Sequence, residues 1–399
     1  MQGEPQAGTG SGEGSDDYVI GVHDDPAQID AAQWNELLAA QPAPTPFMRH
    51  EYLLALHASG SATEHSGWLP QFVVVRAAGQ LVAACALYLK THSYGEYVFD
   101  WAWAEAYQRH GLDYYPKLLG AVPFTPVPGS RLLARDAASR ELLLHGVLQF
   151  VREAKLSSAH FLFFSEADRA AFEQAGWMLR ENVQFHWTQR EPVPYADFAD
   201  FSASLQREKR KKIAQERRRV AEAGVTFEAH AGAAISPKLW DFFYRCYTLT
   251  YRAHHSTPYL TRAFFTEMAR TMPEHWLMFV ASRNGQPVAA SLIALDPERR
   301  VAYGRYWGAT EHVNCLHFEA CYYQPLSWCI ANGYQRFEGG AQGEHKMARG
   351  LLPVRTWSAH WLADKRFASA VEDFLSREGA GVENYIGELN ERNPFKVSS

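Results

Sequence analysis

Apolar and polar positions follow one pattern at two distant places in the chain. "QFVVVRAAGQLVAACALYL" begins at Gln71 and "LMFVASRNGQPVAASLIAL" at Leu277. Each is a β-branched and aromatic run, a turn containing Gly-Gln, then Val-Ala-Ala and another apolar run. That pattern predicts a β-hairpin twice, with Gly79-Gln80 matching Gly285-Gln286. Downstream of each hairpin the apolar period changes to that of an amphipathic helix leading into a short strand. The first copy is "RELLLHGVLQFVREAKLSSAHFLFF" from Arg140. The second is "LHFEACYYQPLSWCIANGYQRFEGG" from Leu316, with Asn332-Gly333 as a helix stop.

Two copies of hairpin, helix and strand describe an α+β protein with a duplicated unit. The stretch "QREPVPYADFADFS" separates the copies with prolines and polar residues. The expected organisation is a disordered tail over 1–16, a first domain over 17–192 and a second over 193–399. The length of 399 residues agrees with more than one core. The tail, "MQGEPQAGTGSGEGSDD", has neither the basic start nor the apolar stretch of a secretory signal. No apolar run is long enough to span a bilayer. The five cysteines include no Cys-x-x-Cys pair, which favours reduced thiols. Together these predict a cytoplasmic protein.

The net charge of −5 excludes a generally basic nucleic-acid binder but not a local basic patch. One such patch opens the second half, "SASLQREKRKKIAQERRRVAEAGV". A helix over 202–223 is expected, capped by Ser202 or Ser204, ended by Gly224 and striped by Leu205, Ile213 and Val220. Arg207, Lys209, Arg210, Lys211 and Lys212 lead its cations, a surface suited to a donor's phosphates as well as to plain solvation. It holds no aromatic residues for base stacking.

The densest chemistry lies in "RFEGGAQGEHKMARGLLP", Arg336 to Pro353, where an acid, a base and cations surround four glycines. With "YQRFE" as a strand ended by Gly339 and Gly340, the loop over 338–350 stands at the carboxyl end of the sheet, a usual place for ligands. Glu338, Glu344 and His345 are candidate bases; Lys346 and Arg349 are candidate partners for an oxyanion or a donor phosphate. Gly339, Gly340, Gln342 and Gly343 are candidate ligand-binding positions, as is His255 in "YRAHHSTPY". His360 in "TWSAHWLA" shares a strand face with Thr356 and Ser358, a face that either lines a cleft or holds a satisfied histidine. His312, Cys315, His317 and Cys321 lack the tight knuckles of structural zinc, and no metal is expected. Glu96, Asp100, Glu105 and Lys117 stand among many rings in "YGEYVFDWAWAEAYQRHGLDYYPK", as a substrate groove or as core with polar edges. Aromatic residues make up 14% of the chain, which serves both readings.

With the duplicated unit, the basic helix and the loop "FEGGAQGEHKMARGLLPVRTWSAHW" in hand, the chain resembles the FemAB-like family of the acetyltransferase (GNAT) superfamily. The resemblance extends through "SYGEYVFDWAWAEAYQRHGLDYYPKLLGAVPFTPVPGSRLL", "YRAHHSTPYLTRAFF" and "GRYWGATEHVNCLHFEACYYQPLSWCI". It implies two tandem GNAT-like domains, each a mixed, mostly antiparallel sheet flanked by helices. It also implies amide formation: an activated acyl or aminoacyl group, on aminoacyl-tRNA or acyl-CoA, attacked by an amine of a peptidoglycan precursor, a metabolite or a protein. No permanently bound cofactor is implied. Acyl-CoA enzymes carry an Arg/Gln-x-x-Gly-x-Gly/Ala loop after the fourth strand, and "YWGATEHVNCLHFEA" lacks it. Arg336 to Ala341 satisfies that formula one strand too late. The alternative is a non-catalytic module that binds peptidoglycan fragments or another glycan on aromatic surfaces.

Overall fold

The computed structural model describes residues 18–341 and 343–396. The strands of the first half are β1 (Tyr18–His23), β2 (Trp68–Pro70), β3 (Phe72–Ala77), β4 (Gln80–Cys85), β5 (Tyr88–Lys90), β6 (Lys117–Gly120), β7 (Leu133–Ala134), β8 (Ser158–Phe164) and β9 (Met178–Thr188). Those of the second are β10 (Val225–Ala231), β11 (Trp276–Arg283), β12 (Gln286–Asp296), β13 (Val301–Ala309), β14 (Arg336–Ala341) and β15 (Leu352–Leu362).

Both predicted hairpins form, as β3–β4 and β11–β12. Their turns are the same: Ala78-Gly79 and Asn284-Gly285 all have positive φ, the tight turn whose twist matches paired strands. The likeness extends to a defect. Val75 pairs with Ala83 and Arg76 with Leu81, leaving Val82 as a bulge; Ala281 pairs with Ala289 and Ser282 with Pro287, leaving Val288.

One sheet of eleven strands runs through both halves in the order β10-β11-β12-β13-β14-β9-β15-β8-β6-β5-β2, with β1-β3-β4-β7 beside it. Its centre is an exchange. β9, which ends the first half, pairs with β14 and β15 of the second; β15 in turn pairs with β8 of the first. The apolar core crosses the same seam, with Phe47 packed edge-on against Tyr303 at 5.1 Å and Tyr52 against Phe264 at 5.3 Å.

Three local expectations change. The basic stretch is divided at Leu205 and Gln206: Ser202 and Ser204 belong to a short helix, Phe198–Ser204, and the basic helix is Arg207–Glu222 with no side-chain cap. Leu205 is buried with the neighbouring core, which fixes the break, and Gly224 follows the helix end as expected. Strand β14 continues through Gly339 and Gly340 because β9 supplies its partner, pairing Gln184 with Ala341. The helix from Leu316 contains a π-turn over Glu319–Tyr323, where Ser291 Oγ donates to the Ala320 carbonyl at 2.6 Å and satisfies a group the wider turn frees.

The exchange predicts mutual dependence of the halves. Residues 1–192 expressed alone leave β8 and β9 as unpaired edges and should aggregate, and co-expression with 193–399 should restore a soluble pair. A cooperative thermal melt of monomeric 1–192 by itself would refute this.

Candidate active site

The parallel strands β13 and β14 register only over Val301↔Arg336, Ala302↔Phe337 and Tyr303↔Glu338, and then part. Beyond Tyr303 the facing edge of β13 has no neighbouring strand among the described residues, although Thr250 Oγ1 donates to the Trp307 carbonyl at 2.9 Å. Arg305 is the extra residue of a bulge against β12, which strengthens the local twist that opens the gap. Two cavities adjoin at this opening and share Gly304, Arg305, Tyr306, Trp307 and Gly339.

The larger cavity, of 450 Å3, lies between the halves, walled by Tyr97 and Pro126 from the first and by Tyr247, Tyr251 and Tyr259 from the second. The smaller, of 160 Å3, lies on the opposite face under the π-turn and is lined by Ser291, His317, Cys321, Tyr322 and Lys346. Glycine is needed where the strands part. A Cβ on Gly339 would stand 2.7 Å from Leu351 and 3.2 Å from the Lys346 side chain.

The Gly-rich loop divides its candidate residues between environments. Glu338 is buried on the sheet; Arg336 Nε holds one carboxylate oxygen at 3.0 Å, and the other has no hydrogen-bond partner and lies 4.0 Å from His186 Nε2. Burial pushes its pKa up to about 7 against the pull of Arg336. Gly339 and Gly340 line the larger cavity. Gly340 and Gly343 have left-handed backbones that turn the chain into a 3-10 helix, Glu344–Arg349. Gln342 lies outside the described residues.

Lys346 is buried in the wall of the smaller cavity, where its Nζ donates to the Gly340 carbonyl at 3.2 Å. Burial lowers its pKa to about 8. His345 Nε2 lies 3.2 Å from the Tyr322 hydroxyl, and burial together with Arg349 and Lys346 lowers its pKa. Glu344 points outward to Tyr385 and Arg392. Arg349 is a tie rather than a free cation: Nη2 donates to both oxygens of Glu216 at 3.0 Å, and the guanidinium stacks on Phe318 at 3.6 Å.

Glu216 belongs to the basic helix, so this ion pair fastens the two sequence features to each other, and Lys212 is close enough to lower the pKa of His345. Among the described residues Arg207, Lys209 and Lys212 have no carboxylate partner, whereas Lys211 pairs with Glu208 at 3.7 Å and Arg210 donates to the Ala203 carbonyl. His255 is exposed at the rim of the larger cavity, between the lining residues His254 and Ser256.

His360 lies elsewhere. The face it shares with Thr356 and Ser358 is fully buried and lines neither cavity. Its Nδ1 meets His160 Nδ1 at 2.9 Å, so one ring donates and the other accepts, and Trp103 closes over it at 4.9 Å. From His160 the chain of contacts runs through Tyr114 to Asp100, Lys117 and Glu96. The acids and Lys117 of the aromatic-rich stretch are therefore a buried knot, except Glu105, which pairs with Arg109 on the exposed face of the helix Trp101–Arg109. His312, Cys315, His317 and Cys321 form no cluster able to hold a metal, and among the described residues none was found elsewhere.

Sequence reasoning missed Arg305, Tyr306, Tyr247, Tyr251, Glu216 and His186. The signal for the first two was the interruption of an apolar strand by Arg305 in "VAYGRYWGA".

The chain matches the model of the FemAB-like family, described as peptidoglycan biosynthesis/recognition, over residues 25–397, and belongs to that family. No curated protein sequence matches it significantly. Its fold is similar to that of the C-terminal domain (DUF2156) of a putative lysylphosphatidylglycerol synthetase from Agrobacterium fabrum, with a TM-score of 0.53 at 10% identity over 88% of this chain and 97% of that one. L-PGS from Bacillus licheniformis gives 0.52 at 10%, covering 87% and 96%, and FemX gives 0.50 at 9%, covering 86% and 98%. The fold is α+β, a mixed, mostly antiparallel sheet flanked by helices. Among the described residues no helix is long and apolar enough to cross a membrane.

Because the fold raises the pKa of Glu338 above its unfolded value, the folded state favours the protonated acid. Its ionisation costs stability progressively as pH rises from about 4.5 to about 7. Glu338→Gln should therefore match wild type near pH 4.5 and melt higher at pH 8, by on the order of 3 kcal/mol. Equal melting of the two proteins at pH 8 would contradict an uncompensated buried carboxylate. Arg349→Met should destabilise by about 3–5 kcal/mol because it strands Glu216, and Arg349→Met with Glu216→Gln should recover part of that loss in the same melts.

Proposed function

We propose that the protein is an amide-forming acyl or aminoacyl transferase that works at the opening between β13 and β14. The observation that carries this reading is the parted strand pair with a cavity on each face, flanked by a buried acid and a buried lysine whose pKa values are displaced toward neutrality. Membership in a peptidoglycan biosynthesis/recognition family and a fold like that of FemX support it.

The two faces suit two substrates. The smaller cavity adjoins the basic helix through the 3-10 turn, so a phosphate-bearing donor approaches there, aminoacyl-tRNA first and acyl-CoA second. Its activated carbonyl reaches the opening beside the unpaired edge of β13. The acceptor amine comes from the larger cavity. As the amine attacks, the carbonyl oxygen gains charge that Lys346, as the ammonium, stabilises in a low-dielectric wall. The amine's proton passes to Glu338, which lies directly behind the lining residue Gly339. Collapse of the tetrahedral species, with that proton handed on from Glu338, expels the tRNA hydroxyl or the CoA thiol, leaves the amide and returns Glu338 to the carboxylate.

This division of labour fixes a pH profile. Glu338 acts ionised, above about 7, and Lys346 acts protonated, below about 8. The profile of kcat/KM should be a narrow bell; Glu338→Gln should lose the acid limb and Lys346→Met the alkaline limb, each with turnover reduced by about 10²-fold or more. Full turnover in both variants would overturn the site.

The donor is decided by binding. Labelled aminoacyl-tRNA should bind in a salt-sensitive way, and Arg207, Lys209 and Lys212 changed together to Glu should abolish that binding. Competition by acyl-CoA without tRNA binding would assign the enzyme to the second donor. Binding of neither would leave the glycan-binding module as the better reading.

A further inference from the structure

Arg305 is partly exposed, and its partners differ from those of the buried Lys117, Arg349 and Arg131. Lys117 is held by Glu96 and Asp100, and Arg349 by Glu216. Arg131 has no ion pair among the described residues, but each of its three nitrogens has an acceptor: Nε donates to the Leu162 carbonyl, Nη1 to that of Gly129 and Nη2 to that of Val127. Arg305 uses one nitrogen. Its Nη2 donates to the Phe124 carbonyl at 2.9 Å, Thr125 Oγ1 at 3.3 Å and the Tyr306 hydroxyl at 3.2 Å, all neutral acceptors. Its Nε is sealed from water with no acceptor, and no hydrogen bond to a protein group is formed by Nη1 among the described residues. Glu338 feels this charge but is engaged by Arg336 and stands beyond ion-pair distance of Arg305.

Leaving guanidinium nitrogens unmatched inside a protein is costly, and the usual compensation is a carboxylate or a full set of carbonyls. Here the side chain lines both cavities at the opening, fixed between the rings of Phe47 and Tyr306 at 5.5 and 5.0 Å. The wall around it is mostly tyrosine, with Thr250, Ser256 and backbone, and no lysine or second arginine lines the larger cavity. The larger cavity, with Arg305 as its one fixed positive charge in a largely aromatic wall, neutralises a monoanion and leaves a phosphate dianion uncompensated, whereas the smaller also holds Lys346.

We propose that Arg305 is a carboxylate receptor, and that the acceptor is an amine bearing a carboxylate close to it, in the manner of an amino acid or a peptide end. With the carboxylate on Arg305 at the shared rim, an amine a few bonds away is held at the opening toward the donor carbonyl. Naming the occupant as acceptor rests on the transfer reaction proposed above; the anion site does not.

The test is calorimetric titration of the full chain with hydrocinnamate, hydrocinnamamide and phenethyl phosphate, which share an aromatic body and lack an amine. Hydrocinnamate should bind at least about tenfold more tightly than either of the others. Arg305→Gln should abolish the preference for acid over amide, and Arg305→Lys should keep part of it. Equal affinity for acid and amide, or tighter binding of the phosphate, overturns the proposal. The wild-type comparison decides even if Arg305→Gln does not fold. Because hydrocinnamate offers no nucleophile, its selective binding survives a failure of the transfer reading. Conversely, turnover of neutral amines without any preference for the acid would leave the reaction standing and remove the receptor.

Discussion

The pairing of β9 with β15 is the constraint on which the rest of the molecule depends. These strands have equal length, eleven residues each, and each is also hydrogen-bonded to the parallel pair of the opposite half. Without the exchange β14 would have no partner on its second edge and would not continue as strand through Gly339 and Gly340. The glycines would then fall into an ordinary loop instead of forming one rim of the opening. Sheet pairing across the seam therefore places the site, and the apolar core that follows it only fills the space beneath.

The exchange also relates the halves by an approximate two-fold axis. Laying Met178 of β9 on Leu352 of β15 brings His186 onto His360. His186 pairs with Glu338 and His360 with His160, so Glu338 and His160 occupy equivalent places. The parallel pairs agree, since Tyr303 registers with Glu338 and Leu119 with His160. The two centres have diverged in a physically legible way. In the first half the segment between β5 and β6 folds over the centre; Trp103 covers the histidine pair, and Lys117 is clamped between Glu96 and Asp100. The same segment then carries Tyr97 to the wall of the larger cavity in the second half. One centre is filled with matched charge, and its cover helps to build the other.

Much of this organisation was legible because it is local. The hairpin turns, the α+β alternation and the helix stop at Asn332-Gly333 depend on near neighbours, and even the repeated bulge follows from the matched Val-Ala-Ala. The nearness of the basic helix to the Gly-rich loop was not, because it rests on Glu216 meeting Arg349 across more than a hundred positions of sequence. The same holds for His360, whose partner His160 becomes a neighbour only through the exchange. Alternation correctly gave His360 one face with Thr356 and Ser358, but periodicity states which side a residue faces and not what stands opposite. Within the loop, composition marked a region and not the roles: Lys346 turns inward, Glu344 turns outward and Arg349 becomes a structural tie.

The contrast between the two centres bears on how buried charge should be interpreted. Buried ionisable groups occur in both, and perturbation of their titration does not by itself separate structure from chemistry. Position beside a cavity does. In the first half Lys117 has two acids and the two histidines share a bond; Glu96 Oε1 and Asp100 Oδ1 lack hydrogen-bond partners there too, but neither residue lines a cavity at the opening. In the second half the far oxygen of Glu338 and the Nε of Arg305 are left without partners beside an opening in the sheet. A folded chain gains nothing in stability from such vacancies, and filling or deleting them is the easier route to a tighter core. What distinguishes the second centre is that its unpartnered atoms stand beside an opening in the sheet, whereas those of the first lie under Trp103 and the segment between β5 and β6.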